Sequence, residues 1–142
     1  MTRKSKLLLF IILFLAAAFR LYGLNWDQGY HLHPDERFLT MVANAMHLPH
    51  SFADYLNPQL STFNPANIGF SFFVYGTFPL IFAKLLGSLF YADTYATFTL
   101  FGRVLSALAD TLVVWLVFKT VEQFEKYYKL PLAIKFFAAF GY

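Results

Sequence analysis

The chain has 142 residues, 58% hydrophobic and only 13% charged, where soluble domains carry about 25% charged residues. With its long apolar runs, that composition indicates an integral membrane protein. The net charge of +3 comes from scattered basic residues and argues against a nucleic-acid surface, while the lack of Cys excludes disulfides and thiol catalysis.

Arg3, Lys4 and Lys6 precede an apolar run from Leu7 to Phe19, which resumes after Arg20 and reaches Leu24. As a helix, residues 7–24 cover about 27 Å, nearly one hydrocarbon core. The basic flank places the N-terminus in the cytoplasm, and Arg20 is expected to snorkel to the outer interface. A basic start, an apolar core and Ala16-Ala17-Ala18 also fit a cleaved leader peptide, although the apolar stretch runs past the alanines.

Residues 25–67 read as a polar, aromatic-rich loop, and long ordered loops are usually functional. Its centre is His33-Pro34-Asp35-Glu36-Arg37, the densest ionisable cluster in the chain. Pro34 suits the first position of a helix, and Phe38, Leu39, Val42, Ala45 and Met46 recur at helical spacing. This predicts a helix that ends by Pro49, too short to cross a bilayer and expected to lie along its interface. Asn57-Pro58 and Asn64-Pro65 mark turns.

Three further apolar runs cover residues 68–91, 98–118 and 130–142. The first is interrupted by Gly76, Pro79, Lys84 and Gly87, with Lys84 expected to snorkel. The last is still apolar at Tyr142, as expected of a chain that continues. The predicted fold is therefore an all-α polytopic membrane protein of the cell membrane. Its spans fall at about 7–24, 68–91, 98–118 and 130–142, and the extracytoplasmic loop 25–67 carries a short interfacial helix. One conflict remains. If the first three runs all cross, Lys119, Lys126 and Lys129 fall outside, against the positive-inside rule. Either the 68–91 run dips in and returns, or the rule is overridden.

Behind Pro34, Asp35 and Glu36 occupy a first helical turn, where the helix dipole favours negative charge. An ionised carboxylate there acts as a general base or binds a metal, although acids also favour helix N-termini for structural reasons alone. Asp27, His31 and His33 lie close in sequence and add oxygen and nitrogen donors of the kind a divalent metal uses, at a spacing that matches no strong metal motif. Arg37 is a candidate phosphate ligand or a plain surface charge. Arg103 and Asp110, seven apart, fall on one face of a predicted span, and intramembrane charges usually face a bundle interior or cavity. Arg103 is a second candidate for holding phosphate.

Four segments occur in order: His33-Pro34-Asp35-Glu36-Arg37-Phe38, Asn64-Pro65, Phe73-Val74-Tyr75-Gly76-Thr77-Phe78-Pro79-Leu80 and Gly102-Arg103-Val104-Leu105-Ser106-Ala107. Together they resemble the N-terminal module of the GT-C glycosyltransferases, in the phospholipid carrier-dependent branch of the protein O-mannosyltransferase and aminoarabinose-transferase superfamily. The resemblance implies that residues 1–142 are the N-terminal part of a larger membrane enzyme. That enzyme would move a sugar from a polyprenyl-phosphate carrier to a protein, lipid or glycan acceptor on the outer face. It implies Asp35 as the catalytic residue, with Glu36 beside it, and a chain of this length inactive alone. Two other classes compete: a non-catalytic subunit of a membrane transporter or assembly, centred on Arg103 and Asp110, and an interfacial lipid-binding module formed by residues 25–67.

Overall fold

The computed structural model describes residues 3–128, 130, 131 and 133–142, apart from the side chain of Lys126. Lys129 thus lies outside the described residues, as does the Lys126 side chain. Among the described residues the fold is all-α, with α1 (Arg3–Leu21), α2 (Pro34–Ala45), α3 (Phe52–Leu56), a 3-10 turn (Pro65–Ile68), α4 (Thr77–Leu89), α5 (Tyr95–Tyr128) and α6 (Ile134–Gly141). Among the described residues one helix is long and apolar enough to cross a membrane: the Tyr95–Glu125 stretch of α5, whose most apolar window is only 17% buried. That low burial distinguishes it from the core helix of a soluble protein.

The chain divides into two compact units, Met1–Leu24 with Val104–Tyr142, and Asn25–Arg103. The boundary falls inside α5.

In the first unit, Ile12 and Ala16 of α1 form a core with Val114 and Phe118 of α5 and Ala139 of α6. Arg20, one turn beyond Ala16, pairs with Asp110, one turn before Val114. The two series step by four residues in opposite senses, so α1 and α5 run antiparallel, each using one helical face. Arg20 is therefore not a snorkelling residue but an ion-pair partner. Asp110 also accepts a hydrogen bond from the Tyr142 hydroxyl at 2.8 Å. At the other end, Lys135 is buried and bonds Glu125 at 2.6 Å.

In the second unit, the apolar face predicted for residues 34–48 is real, but it does not rest on an interface. Val42, Ala43 and Met46 are fully buried with Phe63, Leu80 and Phe98, and Phe38 and Leu39 pack against this core. Protein, not lipid, covers α2. The 68–91 run is not one helix either. A turn ends at Gly69, left-handed at φ 93°, an extended stretch follows, and only Thr77–Leu89 is helical. Pro65 opens the 3-10 turn, and Pro79 lies in the first turn of α4, where its missing N–H costs no helical bond. Lys84 is buried, donating to the Asp93 backbone at 3.0 Å and pairing with its carboxylate at 3.1 Å. This pair, with the Ser88 hydroxyl, holds Asp93 below the usual carboxylate range. A Cβ on Gly87 would come within 3.2 Å of the Ala92 carbonyl, which itself lies in a loop closed on Gly87. A side chain there would push against the tight α4–α5 turn.

Met46 is fully buried in this core. Met46→Ala should lower stability by about 2–5 kcal/mol through the cavity left behind, read as an earlier thermal unfolding transition in detergent.

Candidate functional site

The ionisable cluster assembles from the sequence upward. His33 is extended at φ −78° and caps α2, its Nδ1 accepting the Glu36 backbone N–H at 3.4 Å, with Pro34 at the first helical position. The Arg37 backbone N–H bonds the His33 carbonyl at 2.9 Å. The cap places Asp35 and Glu36 in the first turn, where they point to different surroundings. Glu36 is half-buried, whereas Asp35 is exposed.

Glu36 faces Arg103, which holds two carboxylates at once. Its Nε and Nη2 donate to Glu36 at 2.8 and 2.6 Å, and its Nη1 and Nη2 donate to Asp27 at 2.9 and 2.8 Å. Both pairs are bidentate, the strongest geometry available to a guanidinium. The Trp26 ring lies 5.2 Å from the guanidinium carbon, a cation–π arrangement. The Asp27 side chain is 1% exposed and that of Arg103 10%, so neither charge is balanced by water. Arg103 holds Asp27 far below the usual carboxylate range against the opposing effect of burial, and the Gly29 N–H at 3.3 Å and the Leu32 N–H at 3.4 Å add to it.

Asp27 also fixes an unusual loop. Gln28, Gly29 and His31 are all left-handed, at φ 51°, 80° and 51°. Glycine accepts this freely, whereas each non-glycine residue costs about 1–2 kcal/mol. His31 is buried against Tyr95, ring centroids 4.3 Å apart. A hydroxyl chain then runs from its Nδ1 to Thr99 Oγ1 (2.9 Å), to Thr40 Oγ1 (2.7 Å) and to the Glu36 carbonyl (2.8 Å). The carbonyl can only accept, so Thr40 donates to it, Thr99 donates to Thr40, and His31 Nδ1 must carry the proton. His33, which accepts at Nδ1, has the opposite tautomer.

Asp35 meets the Tyr75 hydroxyl, and this contact raises the phenol above its usual value. Tyr75 belongs to an aromatic group with Phe38, Phe70 and Phe73, with centroid separations of 5.7–6.3 Å about Phe38.

Several expectations change. Arg103 and Asp110 are not mutual partners. Each has carboxylate or guanidinium partners elsewhere. Arg103 is not placed to hold a phosphate, since its fork is filled by Asp27 and Glu36. The side chains of Asp27, His31 and His33 are not brought together around one point. Asp27 is spent on Arg103, His31 on Thr99 and His33 on the helix cap. Among the described residues no group of three His, Asp or Glu is gathered as a metal would require. Arg37 is exposed on the same turn as Asp35. The sequence reading missed Trp26, Thr40, Tyr75 and Thr99. Only Tyr75 had a local signal, the alternation of Phe73 and Tyr75 on one side of an extended stretch. Thr40 and Thr99 lie 59 residues apart and had none. The chain matches no protein-family model, no curated protein and no solved structure.

Thr40 is 1% exposed. Thr40→Val should cost about 1–3 kcal/mol, because Thr99 loses its acceptor in a buried setting, measurable as a lower thermal midpoint. Asp27, with its depressed folded-state value, contributes stability that is complete above the ordinary aspartate pKa of 3.8 and is lost as pH falls below it. Asp27→Asn should therefore flatten the acid side of the stability profile below about pH 4, as measured by acid titration of near-ultraviolet circular dichroism. An unchanged profile would show that the clamp does not govern acid stability.

Proposed function

We propose that the chain is part of a multi-pass glycosyltransferase of the cell membrane, with a cytoplasmic N-terminus and residues 25–67 on the outer side. It would take a sugar from a polyprenyl-phosphate carrier, with Asp35 as the base. The observation that carries this reading is the splitting of the acid pair. Glu36 is consumed by Arg103, whereas Asp35 stays exposed at a helix N-terminus beside Tyr75. A carboxylate held in a bidentate ion pair is a poor proton acceptor, and an exposed one can reach an acceptor group.

In the proposed step, Asp35 takes the proton from an acceptor hydroxyl or amine as that atom bonds the sugar's anomeric carbon. The anomeric carbon–oxygen bond to phosphate breaks, and its electron pair leaves with the polyprenyl phosphate. Of the two arginines considered for the departing phosphate, only Arg37 is exposed and on the turn that carries Asp35. The Asp27–Arg103–Glu36 clamp positions this turn and takes no part in proton transfer. The resemblance of the four ordered segments to carrier-dependent GT-C enzymes supports the same reading, as does the presence of a helix able to span a membrane. The alternative, a non-catalytic membrane subunit, would centre on Arg103 and Asp110, which are held in separate ion pairs.

The test is release of polyprenyl phosphate from a panel of polyprenyl-phosphate sugars, in native membranes carrying the protein with whatever chain follows Tyr142. Asp35→Asn should lower turnover by about 10²–10⁴-fold with abundance unchanged. Glu36→Gln, which keeps a hydrogen-bonding partner for Arg103, should cost less than about tenfold. An undiminished rate in Asp35→Asn, or abolition by Glu36→Gln alone, would refute the assignment.

A further inference from the structure

We infer that α4 does not cross the membrane: it enters the leaflet on the side of residues 25–67 and returns there, with Phe78, Phe82, Leu85 and Leu89 against lipid acyl chains. The inference uses the membrane location proposed above and is independent of sugar transfer.

Two separate observations carry it. The first is the inverted amphipathicity of α4. Its buried face is Leu80, Lys84 and Gly87, with its only charge turned inward onto Asp93. Its outer stripe is Phe78 (76% exposed), Phe82 (51%), Leu85 (39%) and Leu89 (73%). These positions, spaced by four, three and four, form one face of a helix. Phe72 and Val74 in the preceding extended stretch continue the apolar surface, 78% and 67% exposed. Water would favour the reverse arrangement, with the lysine outside and the phenylalanines inside; acyl chains favour this one. The helix has 13 residues, about 20 Å against a hydrocarbon core of about 30 Å, so it reaches into one leaflet without spanning.

The second observation is the antiparallel pairing of α1 and α5, fixed by Arg20–Asp110 and the Ile12, Ala16, Val114, Phe118 core. The start of α1, with Arg3, Lys4 and Lys6, and the Lys119 end of α5 therefore lie at the same end of the pair. If α1 and α5 each cross once, the chain between them must leave and re-enter on one side, which allows no net crossing by α4. The basic residues of both flanks then share the cytoplasmic side, and the conflict with the positive-inside rule disappears.

The protein has no native cysteine, so single-cysteine variants report cleanly. Gln59→Cys lies in the loop, Tyr91→Cys in the α4–α5 turn at a residue 91% exposed, and Tyr127→Cys near the end of α5 at a residue 81% exposed. In right-side-out vesicles treated with a membrane-impermeant maleimide, Gln59→Cys and Tyr91→Cys should label alike. Tyr127→Cys should label only after lysis. Opposite behaviour of Gln59→Cys and Tyr91→Cys would show that α4 crosses and would overturn the inference. If Gln59→Cys and Tyr91→Cys were both protected and Tyr127→Cys labelled, the proposed orientation would fall while the inference stood. A spin label at Phe82→Cys should be quenched more by oxygen than by a water-soluble nickel chelate; the converse would refute lipid contact.

Discussion

Arg103 sits in α5, the helix long and apolar enough to cross a membrane, and its charge must be neutralised there. A guanidinium in such surroundings is tolerable only with well-oriented counter-charges. Asp27 and Glu36 supply them from two different segments, each with two hydrogen bonds. Three parts of the second unit are thereby tied together: the left-handed loop after Asn25, the first turn of α2 and the first turns of α5. The clamp carries two negative charges against one positive. Of the two acids, Glu36 is the more exposed.

This constraint explains why two neighbouring acids differ. On a helix, successive residues point about 100° apart. When Glu36 is drawn to Arg103, Asp35 must face elsewhere, and here it faces solvent and Tyr75. The Thr40–Thr99–His31 chain braces the same turn from behind, through the Glu36 carbonyl. Position and orientation of Asp35 therefore depend on residues that never touch it.

The polar and apolar residues are sorted in a consistent way. Buried charges are paired within each unit: Arg103 with Asp27 and Glu36, Lys84 with Asp93, Lys135 with Glu125. Large apolar side chains are left outside on α1, α4 and α5. Lipid removes the penalty for exposed apolar surface and raises the penalty for an exposed charge, so the two features have one physical origin.

Much of the architecture was legible locally. Apolar runs show roughly where helices lie but not their extent, as the 68–91 run shows, and Pro34 with Asp35 and Glu36 marks the start of α2, because capping, proline geometry and the helix dipole act within a few residues. The apolar face of α2 was legible for the same reason, as Val42 and Met46 follow helical periodicity. What covers that face was not, because a hydrophobic stripe fits protein and lipid equally well; only Leu80 and Phe98, distant in sequence, decide it. The sequence also placed Arg103 and Asp110 on one helix, but periodicity says nothing about partners from other segments, and both found them elsewhere. Lys84 and Arg20 read as snorkelling residues until the fold brought a carboxylate to each. Ion pairs between distant positions depend on how the chain is folded back on itself, so tertiary structure alone decides which acid is spent on an ion pair and which stays exposed.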